Sequence, residues 1–133
     1  MTFEELNSLV VAVRAREILY DFFAQTLEIV VIPEYGVKDE AEGKTFKLKF
    51  KDCIYFGGIS TGKLAVEEGI EFIAWGKSNN LVGEKLLSNM YTFNGSSHVS
   101  MSDSDYVYYF ENVFGDVLQI ISKSVVVTEM AEK

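Results

Sequence analysis

The sequence predicts an α+β fold: a twisted, mainly antiparallel β-sheet, as a small sandwich or partial barrel, covered by an N-terminal helix. Three observations carry that expectation. β-Branched and aromatic runs recur along the chain and outnumber helical patterns. The turn signals between them are short. No strand–helix–strand alternation occurs, which a parallel sheet would need. A length of 133 residues is that of one domain, spanning 1–133. A composition 48% hydrophobic and 14% aromatic supplies a core without metals or disulfides.

The helix is expected over residues 3 to 14. Thr2 and Glu5 form a capping box, and Glu4 and Glu5 suit the positive end of a helix dipole. Phe3, Leu6, Val10 and Val13 then share one face. The valines of residues 9 to 13 pull the other way, towards an early strand. ILYDFF (18–23) fits either a helix extension or a strand, with Ala24 and Gln25 in the bend that follows. TLEIVVI (26–32) is a strand that should stop at Pro33, which has no amide to donate. YGVKDEAEGK (35–44) is charged, has two glycines and no period, and reads as an internal loop.

TFKLKFK (45–51) alternates strictly: Phe46, Leu48 and Phe50 on one face, Lys47, Lys49 and Lys51 on the other. DCIYF continues it, with a bulge expected near Asp52, where the apolar phase slips. IEFIAW (70–75) is a further strand. LVGEKLLSNM fits one or two helical turns. Residues 91–93 and SSHVSMS are strands about an Asn94-Gly95 hairpin turn. YVYYF (106–110) is a strand, Asn112 to Asp116 a turn, and VLQIISKSVVVTEM one long final strand with Lys123 near its middle. Ala131 to Lys133 are expected to fray.

GGISTGK (57–63) supplies seven positions of a phosphate-binding loop. The next residue must carry a hydroxyl for magnesium, and here it is Leu64. Such a loop must also open a helix, and LAVEEG gives under two turns before Gly69. The stretch reads as a glycine-hinged connection.

SSHVSMSDSD holds the only histidine, His98, with serines and aspartates around it. A triad needs hydrogen-bond contact, and i,i+2 neighbours on a strand lie roughly 7 Å apart. Polar residues on the wet face of a hairpin explain the stretch, and a small-molecule or hydrolytic site around His98 is the alternative.

One histidine and one cysteine exclude a cysteine-based zinc cluster. DSD at 103–105 starts like a calcium loop but continues Tyr-Val-Tyr-Tyr. Neither metal nor cofactor is expected. Cys53, in an apolar strand, is read as a buried inert thiol, and a chain with one cysteine suits a reducing cytoplasm. The N-terminus reads as neither signal nor anchor, and no window reaches the roughly 20 apolar residues of a membrane span.

The net charge is −8, which opposes binding to nucleic acid. Residues 44 to 63 run the other way, with five lysines and one acid. They read as a solvated strand face that also discourages edge pairing, or as a contact for an acidic surface, including this protein's own in a dimer. Tyr106 and Tyr108 on one strand and Trp75 on another combine apolar area with polar tips. Ringed by Asp103, Asp105, Glu111 and Asp116, an exposed aromatic set of this kind is the candidate partner-binding patch.

The order TLEIVVIP, FKLKFKDCIYF, VLQIISKSVVV, with its charges, resembles that of small acidic bacterial immunity-type proteins, which bind and neutralise a toxin. The resemblance implies a non-catalytic, acidic protein-binding module that occludes a basic partner, with carboxylates speeding encounter and aromatics anchoring the complex. A structural homo-oligomer subunit is a further alternative.

Overall fold

A computed structural model describes residues 1–57, 69–78 and 104–131. One helix, α1 (Phe3–Leu9), is followed by β1 (Val10–Asp21), β2 (Thr26–Val37), β3 (Thr45–Lys51), β4 (Tyr55–Gly57), β5 (Ile70–Phe72), β6 (Ala74–Ser78), β7 (Tyr106–Glu111), β8 (Val117–Ser122) and β9 (Ser124–Met130). The strands form two antiparallel sheets among the described residues. The first has the order β5-β1-β2-β3-β9 and the second β4-β8-β7-β6. The mainly antiparallel α+β expectation therefore holds.

The helix starts as expected and ends early. Thr2 Oγ1 accepts from the Glu5 amide at 3.1 Å. Phe3, Leu6, Val10 and Val13 are all buried, yet the chain turns to strand at Val10. One apolar phase serves both halves, and the β-branched residues favour the strand. Residues 18–21 are likewise strand.

β1 and β2 form a long hairpin from Val10↔Val37 to Asp21↔Thr26. Its tip is fastened by Asp21 Oδ1, which accepts from the amides of Phe23 and Ala24 at 3.0 and 3.1 Å. Pro33 does not end β2, which runs on to Val37, so residues 35–37 are strand and not loop. The reason is positional. The β2–β3 ladder ends at Val31↔Phe46, and β1–β2 shifts register between Ala12 and Val13, where Pro33 lies opposite Val13. A proline beyond one ladder and at an irregularity of the other leaves no hydrogen bond unmade.

Three runs that read as continuous strands each break and change sheet. TFKLKFK passes to β4 through Asp52, at φ 51°, and Cys53, whose amide bonds the Gln25 carbonyl at 2.8 Å. IEFIAW breaks at Ile73, whose amide bonds the Glu111 carbonyl at 2.9 Å. The final run breaks at Lys123. Ser122 Oγ ties two of these corners together, donating within reach of the carbonyls of Lys51 (2.5 Å) and Ser124 (2.9 Å). Bends of one to three residues let one chain line both sheets.

The core draws on both sheets. Phe50 and Phe72 of the first sheet meet Phe110 of the second at centroid distances of 6.4 and 5.4 Å, and Trp75 stacks on Phe110 at 5.8 Å. Phe3 of the helix packs edge-on against Trp75 and Tyr108 at 5.3 and 5.1 Å. Edge-to-face and offset rings add to area burial. The alternation of β3 is realised: Phe46, Leu48 and Phe50 are buried while the lysines face outward.

Candidate functional site

The expected aromatic patch is not a surface. Trp75, Tyr108 and Asp105 are buried, at 5%, 2% and 3% exposure. The indole Nε1 of Trp75 donates to the Val10 carbonyl at 3.2 Å, and both rings belong to the core. Burial pushes the Tyr108 phenol up to about 12. Trp75 and Tyr108 are therefore core residues and not exposed anchors, and Asp105 is buried rather than part of an exposed rim. Tyr106 is half-buried under the Lys77 ammonium, 3.7 Å from its ring centroid. Glu111 is half-buried at the far end of the same strand, opposite Val117, whereas Tyr106 lies opposite Ser122. Five residue steps separate them, roughly 17 Å. Asp116 closes the β7–β8 turn, its amide bonding Asn112 Oδ1 at 3.0 Å. Asp103 and His98 lie outside the described residues, as do positions 58–63 of GGISTGK.

Two lysines of the basic segment are paired within the fold. Lys47 lies 3.9 Å from Glu28 and Lys44 3.8 Å from Glu129. Cys53 is buried, and desolvation raises its thiol to about 11.

The surface that does gather acids and apolar side chains lies on the outer side of the first sheet, where β5, β1 and the end of β2 run side by side. Val11, Ala12, Glu34, Tyr35, Glu71 and Ile73 line a groove of about 490 Å³. Tyr35 is 71% exposed, Val11 58% and Ile73 43%. Local sequence builds it. The register shift beside Pro33 places Glu34 opposite the Ala12–Val13 step without a partner of its own in the ladder, and an extra residue of this kind re-aims its side chain. Gly36 follows at φ 62°, and a Cβ there would run into the side chain of Val11. Glycine thus lets Val11 lie across the strand as the groove wall.

Arg14 organises the charges. Its Nη2 lies 2.7 Å from Glu34 Oε1 and 3.5 Å from Glu71 Oε2, and its Nε donates to Glu34 Oε2 at 3.1 Å. The two-point bond holds the Glu34 carboxyl below its ordinary value. Two carboxylates around one guanidinium leave the cluster with one net negative charge. A carboxylate held ionised suits the reception of a cation rather than the donation of a proton. The apolar walls and the Tyr35 ring suit an aliphatic stem that carries the cation. Among the described residues, no group of three His, Cys, Asp or Glu is placed to hold a metal.

The groove is not legible in the sequence, because the charged, glycine-bearing stretch that begins at Tyr35 reads as loop, whereas residues 35–37 are strand. The available signal was Glu34 and Tyr35 directly after the proline, with Gly36 next. A second exposed apolar cluster sits at the opposite end of the β1–β2 hairpin. Phe22 and Phe23 are 77% and 98% exposed, and Tyr20 lies 4.9 Å from Phe56. No helix among the described residues is long and apolar enough to cross a membrane. Comparison of the chain with protein-family models, curated proteins and solved structures finds no match.

Proposed function

We propose that the protein is a non-catalytic binding module of the inhibitor or immunity type. Its groove at Tyr35 receives a lysine- or arginine-bearing segment of a basic protein partner. The observation that carries this reading is the exposed Tyr35 ring beside the Glu34 and Glu71 carboxylates on a concave surface. A cationic side chain laid on the ring would place its stem against Val11 and Ile73 and its charge near Glu71, the more exposed of the two acids. The overall charge of −8 would steer such a partner inward, and occlusion of the partner's surface is the mechanism. The buried single cysteine is compatible with work in a reducing cytoplasm. Rings from both sheets meeting in one core support a small sandwich rather than a partial barrel as the scaffold.

Affinity capture from the native host tests the proposal, with the wild-type chain and the Tyr35→Ala and Glu71→Lys variants as baits. A basic protein retained by the wild type and lost from both variants is the expected result. Equal retention by all three baits would remove the groove from the account.

A further inference from the structure

The four sheet edges of the described fold are not alike. β5 and β4 have three residues each, and β6 has five, with Lys77 among them. Short strands and lysines are the usual ways of blunting an edge. β9 has neither. All seven of its residues, SVVVTEM, pair with β3 on one side, and it is the last strand of its sheet on the other. It contains no proline, glycine or lysine, and Val126 is 42% exposed. The lysines of this sheet sit one strand inward, on β3, where they cannot defend the edge.

We infer that β9 is a self-association edge, pairing antiparallel with β9 of a second copy to join two five-stranded sheets into one. The sequence of the edge is self-complementary in a single register, with the two-fold axis at Val126. Val126 then faces Val126 of the other copy, Val125 faces Val127, and Ser124 faces Thr128. At both ends Lys123, in the bend just before β9, comes opposite Glu129, so opposite charges flank the ladder twice. Shifting the axis to Val127 sets Val125 against Glu129 and loses both pairs. Lys123 and Glu129 are exposed and available for this contact, Glu129 having only a 3.8 Å approach from Lys44. The β3 lysines of the two copies would stand three strand spacings apart, roughly 14 Å. That exceeds the Debye length of about 8 Å at physiological salt, so their repulsion is screened. One ladder of this length makes a small interface, and the dimer is weak and concentration-dependent.

Sedimentation equilibrium from micromolar to millimolar protein tests the inference. The wild type should shift from monomer towards twice the monomer mass. Val126→Glu should abolish the shift, because two carboxylates meet on the axis. Within its own sheet that residue faces Lys49, a favourable partner, so the fold is preserved. Lys123→Glu alone and Glu129→Lys alone should each weaken the dimer by about tenfold or more. The double exchange should restore it, which a merely sticky surface would not do. A wild type that stays monomeric throughout overturns the inference. So does a dimer that survives Val126→Glu or is not restored by the double exchange.

Discussion

Arg14 and Glu34 meet through two bonds, Nη2 to Oε1 at 2.7 Å and Nε to Oε2 at 3.1 Å, on adjacent strands at the floor of the acidic groove. Both groups are partly exposed, so the pair contributes little to folding. Arg14→Gln should cost about 0.5 kcal/mol at neutral pH. The Glu34 pKa is lowered in the folded chain, so its contribution is present above the ordinary value of 4.5 and is lost as the pH falls through the lower folded value. Denaturant titrations should therefore show the wild type and Arg14→Gln converging under acid conditions. A difference that grows on acidification would contradict the assignment.

Phe110 touches rings from both sheets and is fully buried. Phe110→Ala should destabilise by about 3–5 kcal/mol, through lost transfer energy and the cavity left behind. Phe23→Ser, at a 98% exposed position, should change stability by no more than about 0.5 kcal/mol. The contrast between two phenylalanines, read in one urea series, tests the placement of the core.

Gly69 and Gly43 both lie at positive φ, 86° and 74°. A Cβ at Gly69 would collide with the Ala15 backbone carbonyl, whereas Gly43 faces open space. Gly43→Ala should cost about 1 kcal/mol of left-handed strain. Gly69→Ala should cost more than about 2 kcal/mol, because the β1–β5 contact must also move. Equal melting temperatures for the two variants would contradict the path described for residues 69–72.

The Cys53 thiol, buried and raised to about 11, should be protonated and inert at pH 8. A thiol-reactive chromophore should label it only as fast as the protein unfolds, and at once in denaturant. Prompt stoichiometric labelling of the folded chain would show the corner at residues 52–54 to be open.

Elements governed by one local rule were readable in the sequence. The TFKLKFK strand follows from strict alternation, the helix start from the Thr2 cap, and the turn at 112–116 from its polar residues. Where the sequence misled, tertiary position decided. Pro33 is harmless because no ladder asks for its amide. Ile73 bends a run that stays apolar through the break, and Lys123 bends one interrupted there by Ser122-Lys123-Ser124; in both, each half belongs to a different sheet. The aromatic set around Trp75 is core rather than surface for a related reason: Tyr and Trp suit interfaces and cores alike, and composition does not separate the two. The groove needed the fold itself, since it joins residues near positions 11, 35 and 72 that no local pattern connects.

Tyr35 is the residue on which the proposed groove depends most. The most direct test is the equilibrium affinity of the captured basic partner for Tyr35→Ala relative to wild type, with Phe23→Ser at the opposite end of the hairpin as the control. Tyr35→Ala should lose about tenfold or more at unchanged melting temperature, and Phe23→Ser should show no change. Wild-type affinity in Tyr35→Ala, or a loss confined to Phe23→Ser, would contradict binding at the groove.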